Sequence, residues 1–272
     1  MRGNTHGVRS GWVPLLVTGS LLAGCSAQAA DGGSPRRTGA SAHTASPRST
    51  APPSGGPAAA PVHTPDASPV PRTPEEGRRL VESVVFAPGN WGRGFVAQDP
   101  AESRPGTWAV LDDDCRWDRE KAPRGVLAGL SRYSLLPAGG SKGAVRVTAA
   151  ATAHSSVLGA DEQLSTTLEE VLRCPEQHPR AGARITGLNS LGTPFGAREQ
   201  DYADDSVLEA GQYVEKDGAA RPYRWMVARL GTVVVAVSVT GGQGHTEQEL
   251  HRLGADALGQ MLARVRQRAK EN

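Results

Sequence analysis

The residues of this chain equipped for chemistry are three cysteines, two aspartate clusters, a glycine-rich turn and a small aromatic set. Cys25 closes a short apolar run. Cys115 and Cys174 lie 59 residues apart, with no histidine or further cysteine at a metal-ligand spacing from either. Asp112, Asp113 and Asp114, and separately Asp201, Asp204 and Asp205, could offer oxygens to calcium. Neither cluster has the twelve-residue loop with its glycine and terminal glutamate, so solvated acidic loops are the simpler reading. Gly241, Gly242 and Gly244 stand where a strand gives way to a helix, and free N–H groups there could hold phosphate or carboxylate. The turn lacks the lysine and hydroxyl of a P-loop and the spacing of a dinucleotide fingerprint, which favours plain chain reversal. Gly187-Leu188-Asn189-Ser190-Leu191-Gly192 misses a nucleophile elbow by one residue, and His154, His178, His245 and His251 show no metalloprotease spacing. No catalytic residue, metal ligand or cofactor is therefore expected. Tyr223 and Trp225, two apart on a predicted strand, share one face, where they pack a core or wall a ligand cleft.

Arg2 and Arg9 precede an apolar stretch of about a dozen residues, too short for the roughly 20 a bilayer-crossing helix needs, and interrupted by Pro14 and Gly19. Its end, Leu22-Ala23-Gly24-Cys25, resembles a bacterial lipoprotein signal. The resemblance implies cleavage after Gly24, so that 1–24 is a signal peptide, and diacylglyceryl attachment to Cys25. Two acyl chains burying about ten methylenes each would contribute on the order of 16 kcal/mol, enough for stable attachment to the outer face of the cytoplasmic membrane. Between Ser26 and Arg72 the only large aliphatic residues are Val62 and Val70 amid Pro, Ser, Ala, Thr and Gly. Such a stretch buries too little apolar surface to offset its ordering entropy, so 25–72 reads as a lipidated, disordered tether reaching between about 40 and 150 Å.

Residues 73–272 suffice for one domain with a sizeable core. The whole-chain charge of +2 hides an N-terminal excess. Residues 1–72 hold six arginines against Asp31 and Asp66, a net +4, which leaves −2 for the remainder. A near-neutral domain with scattered charge does not suit nucleic acid or an anionic lipid surface, since both require a clustered basic face. With Cys25 lipidated, the two remaining cysteines of an exported chain are most simply one disulfide.

The elements that must position these residues follow from periodicity. Thr73-Pro74-Glu75-Glu76 is a capping box opening a helix through Leu80, Val81, Val84 and Val85. Strands are predicted over 107–111 and 131–136, then an alternating strand from Val145 to Ala151. Asp161 is the predicted N-cap of a helix striped by Leu164, Leu168, Val171 and Leu172 and stopped at Cys174-Pro175. A meander of 213–216, 223–230 and 232–240 follows, and Thr246 with Glu249 caps a last helix. The order argues for an α+β fold, a mostly antiparallel sheet with helices packed on one face.

The series Cys115-Arg116-Trp117, alternating strand, helix ending Leu172-Arg173-Cys174-Pro175, then Arg229-Leu230-Gly231 before Val233-Val234-Val235 and a final amphipathic helix resembles actinobacterial sensor-type domains. These are typified by the extracellular part of mycobacterial serine/threonine protein kinase H, and the resemblance spans about residues 80–272. It implies a disulfide at the end of the first long helix and a ligand-binding cleft; the kinase has two cysteine pairs where this chain has one. The composition, rich in Ala, Gly, Arg and Pro, matches a high-GC actinobacterium. The expectation is a lipid-anchored extracytoplasmic sensor or binding module without catalysis, holding a small molecule, a cell-wall fragment or an envelope protein. The alternatives are a structural lipoprotein that binds only protein partners and, third, a secreted hydrolase.

Overall fold

The computed structural model describes residues 71–194, 202–216 and 218–271. The expected signal segment 1–24, Cys25 and all but the last two residues of the expected tether lie outside the described residues, as does Asp201.

The first helix, α1 (Pro74–Val84), opens as its capping box requires: Thr73 Oγ1 accepts from the Glu76 N–H at 3.2 Å and the Glu76 carboxylate accepts from the Thr73 N–H at 3.3 Å. A single 3-10 turn (Pro88–Asn90) leads to β1 (Val96–Glu102), β2 (Thr107–Leu111) and β3 (Trp117–Lys121). Long strands β4 (Val126–Leu136) and β5 (Val145–His154) precede α2 (Val157–Arg173). Then come β6 (Gln177–Arg180), β7 (Ala183–Gly192), β8 (Asp205–Glu215), β9 (Arg221–Leu230), β10 (Val233–Thr240) and α3 (Glu247–Glu271).

The strands form an eight-stranded antiparallel sheet in the order β1-β4-β5-β10-β9-β8-β7-β6, with β2 and β3 paired as a separate hairpin. The expected α+β class holds. The helices, expected on one face, divide between the two: α1 and α3 cover one, α2 the other. The division follows from period two in the central strands. Val145, Val147, Val233, Val235, Val237 and Val239 point to the first face and meet Val81, Val84, Leu250, Leu258, Met261 and Leu262 in the main core. Val234 and Ala236 point the other way, where with Val207 and Val227 they receive Ala160 and Leu164 of α2. Each fully buried Leu or Met contributes about 1.5–3 kcal/mol, so the first face holds most of the stability.

Two sequence expectations for α2 are corrected. Ser156, not Asp161, is its N-cap, accepting from the Gly159 N–H at 3.1 Å, so the helix starts one turn earlier. The buried stripe is Ala160, Leu164, Thr167 and Val171, while Leu168 and Leu172 are 40% and 83% exposed. The helix is rotated so that small residues pack on the sheet and a polar edge, Gln163, Thr166 and Glu170, turns toward a cavity.

Candidate functional site

Sheet register builds the floor of this site. Across the α2 face, Tyr133 of β4 pairs with Thr148 of β5, which pairs with Ser238 of β10, then Trp225 of β9, then Glu209 of β8. The adjacent row runs Arg146, Thr240, Tyr223, Gly211. One row further toward the helix the residues become Ala150, Ala236, Val227 and Val207, the patch that α2 covers. Where the helix ends, the floor carries short hydroxyl side chains between aromatic rings, and a cleft of about 570 Å³ opens above it. It adjoins a smaller cavity of about 130 Å³ that reaches Trp108, Gln163 and Thr167. The two share Trp117, Arg119, Glu170 and Trp225 in their linings.

The walls are α2, the β2–β3 hairpin and β6, and a set of tertiary bonds locks them together. The Cys115–Cys174 disulfide joins the hairpin turn to the C-cap of α2. Arg173 donates to the Leu111 and Asp112 carbonyls at 2.9 Å each, and the Trp117 indole donates to Gln177 Oε1 at 2.8 Å. The His178 N–H donates to the Cys115 carbonyl at 2.8 Å. Cys115 itself holds φ at +58°, the left-handed turn that lets the hairpin bend back to the helix. The bridge expected from cysteine count thus frames the cleft.

The electrostatics are uneven. Glu209 is 3% exposed, and its Oε1 finds no hydrogen-bond partner among the described residues. Burial, and secondarily the negative charge of Glu170, push its carboxyl up to about 8. Burial likewise pushes Glu170 up to about 7, with Arg173 opposing and Glu169 adding to the rise. The Tyr223 phenol is pushed up by burial and by Glu209. Arg119 is committed within the protein, donating to Thr107 Oγ1 and Ser131 Oγ at 3.1 Å and to the Tyr133 hydroxyl at 3.4 Å.

Of the residues singled out from sequence, Tyr223 and Trp225 stand together on the cleft floor, both half-buried. Gly241, Gly242 and Gly244 line neither cavity. A Cβ on Gly241 would strike the Leu250 side chain, and one on Gly242 the backbone of Gly143 and Ala144, so the turn serves close packing. The Gly241 N–H donates to the Pro222 carbonyl, and the Thr246–Glu249 capping box occupies the helix start. Asp112 closes its own turn by accepting from the Arg116 N–H, and Asp204 accepts from the Gly231 N–H and Arg229. His154 is buried against Gln163. Among the described residues no three metal-ligating side chains gather, and no helix is long and apolar enough to cross a membrane.

Glu170, Glu209, Arg119 and Arg146 escaped the sequence reading. The available signal for Glu209 was a lone carboxylate inside the apolar run Val207-Leu208-Glu209-Ala210 of β8, a strand predicted to begin only at Tyr213.

No family model matches the chain, and no curated protein matches it. A solved structure with some likeness is an uncharacterized protein, the Rv0999 ortholog of Mycobacterium smegmatis, at 12% identity and a TM-score of 0.34. The match covers 63% of this chain and 90% of that one.

Proposed function

We propose that this protein is a lipid-anchored binding module of the actinobacterial envelope that captures a small ligand in the cleft beside the C-terminal end of α2, without transforming it. The observation that carries the reading is the cleft: about 570 Å³, with aromatic rings and a few convergent polar groups. Size and lining both suit a ligand pocket, which typically spans about 300–1,000 Å³. The Leu22-Ala23-Gly24-Cys25 pattern and the core-less tether support anchoring outside the cytoplasmic membrane, and the resemblance to sensor-type domains supports a receptive rather than catalytic role. Among the described residues neither cavity is lined by a histidine or cysteine that could serve as base or nucleophile.

The small-molecule fraction of a lysozyme-digested actinobacterial cell wall should raise the melting temperature of the wild type and leave Trp225→Ala unmoved, because a ligand that binds only the folded state stabilises by mass action. No shift, or an equal shift in both, would count against the cleft. A second reading draws on Glu170 and Glu209, since two carboxyls with raised pKa in one cleft are also the equipment of a glycoside hydrolase. Oligosaccharides incubated with the protein should remain intact; accumulation of shortened sugars would replace binding with turnover.

A further inference from the structure

The Glu209 carboxyl, 3% exposed and with its Oε1 unpartnered among the described residues, lines the larger cavity. Buried groups of this kind are nearly always hydrogen-bonded or paired, because desolvating them otherwise costs several kcal/mol. The chain's own cations around the cleft are engaged elsewhere or stand apart from Glu209. Arg119 holds Thr107, Ser131 and Tyr133; Arg180 pairs with Glu215; Arg173 holds the Leu111 and Asp112 carbonyls. Arg146 lies three strands away across the sheet, and Arg104, also on the cleft lining, is exposed on the loop between β1 and β2.

What stands beside Glu209 is aromatic. Trp225 is its direct cross-strand partner, and Tyr223 is the next residue on that face of β9. Directly opposed side chains have Cβ atoms about 5 Å apart and diagonal ones about 7–8 Å, within reach of ring faces. A carboxyl beside aromatic rings attracts a cation by charge and by quadrupole together once the entering cation displaces its proton to solvent. Calcium is a poor fit, because it takes six to eight oxygens and the carboxyls that line the cleft, Asp118, Glu170 and Glu209, do not gather into a group of three ligands among the described residues.

We propose that the cleft binds its ligand through an organic ammonium group, seated against Glu209 and walled by Trp225 and Tyr223. The proposal rests on the reading of the cleft as a ligand site and assigns the chemical class of what enters it: an amine-bearing molecule.

The test uses probes of matched shape and different charge on the detergent-solubilised full chain, followed by titration calorimetry. Choline is set against 3,3-dimethylbutanol, and n-butylammonium against n-butanol and butyrate. At least one cation should bind tenfold or more tightly than its neutral analogue, with Glu209→Gln abolishing the preference while melting no lower than wild type. If Glu209→Gln does not fold, Trp225→Leu provides the second arm and should cut cation affinity at least fivefold. Equal affinity for charged and neutral probes, no binding of any probe at millimolar concentration, or a preference that survives Glu209→Gln would each overturn the ammonium site. Preference for butyrate would overturn it too, yet leave a ligand cleft standing on its Arg146 side. Only the joint absence of probe binding and of cell-wall stabilisation would remove the binding reading itself.

Discussion

Replacing Glu209 by glutamine should make the protein markedly less sensitive to alkaline pH. In the folded chain the Glu209 carboxyl releases its proton at about 8, against 4.5 when exposed. Between those values the native state keeps a proton that the unfolded state has lost, so wild-type stability falls as pH rises above about 4.5 and levels off above about 8. At about 1.4 kcal/mol per pH unit, that interval sets an upper limit of about 5 kcal/mol. Water entering the open cleft around the ionised group reduces this to about 2–3 kcal/mol. Glutamine fills the same volume and never ionises, leaving the smaller contribution of Glu170, which is raised to about 7 by the same burial. Urea unfolding followed by tryptophan fluorescence from pH 5 to pH 9 reads the difference directly. With a slope of about 2 kcal/mol per molar urea, the wild-type midpoint should drop by about 1 M or more across the range. The Glu209→Gln midpoint should lose at most half as much. Parallel pH profiles for the two proteins would refute the reasoning, since they would mean that Glu209 ionises in the fold as freely as in water.

The remaining predictions concern the frame, the packing and the anchor. Cys115→Ser with Cys174→Ser opens a 59-residue loop and should lower stability by up to about 4 kcal/mol, seen as a lower urea midpoint, with weakened ligand capture because the hairpin wall is released from α2. Gly242→Ala places a methyl against the Gly143–Ala144 backbone, which cannot move aside as a side chain can, and should cost about 2 kcal/mol or more by thermal melting. Leu258→Ala, in the α3 core, should cost about 2–5 kcal/mol and leave cleft selectivity unchanged. Cys25→Ala should abolish incorporation of a clickable fatty acid that labels the wild type, whereas labelling of both would contradict lipidation at Cys25.

How far the sequence disclosed this architecture varied with how local the governing physics was. Both capping boxes are self-contained signals, and Thr73–Glu76 and Thr246–Glu249 form as their spacing requires. The β9–β10 pair was legible because alternating valines and the Gly231 turn, at φ +58°, specify it within twenty residues. Strand β3 was invisible: Trp117-Asp118-Arg119-Glu120-Lys121 is nearly all charged, and it is a strand because β2 pairs with it and the disulfide holds its turn. Strand β1 contains Asp99-Pro100 and lies at the sheet edge, the place where a missing donor is tolerated. The α2 stripe was misread because Leu168 and Leu172 sit at helical spacing from Leu164, yet the sheet beneath admits only the smaller Ala160 and Thr167 alongside Leu164 and Val171. Tyr223 and Trp225 were found through period two, but Glu209 and Glu170 acquire meaning only when register and helix rotation bring them over one floor.

The claim that most needs testing is that the cleft holds a ligand. Native mass spectrometry of the full-length protein, extracted in detergent from an actinobacterial host, tests it most directly. The wild type should fly with a small-molecule adduct that leaves on collisional activation, and Trp225→Ala should lose it. An adduct-free wild type, indistinguishable from the variant under conditions that preserve other ligand complexes, would contradict the account.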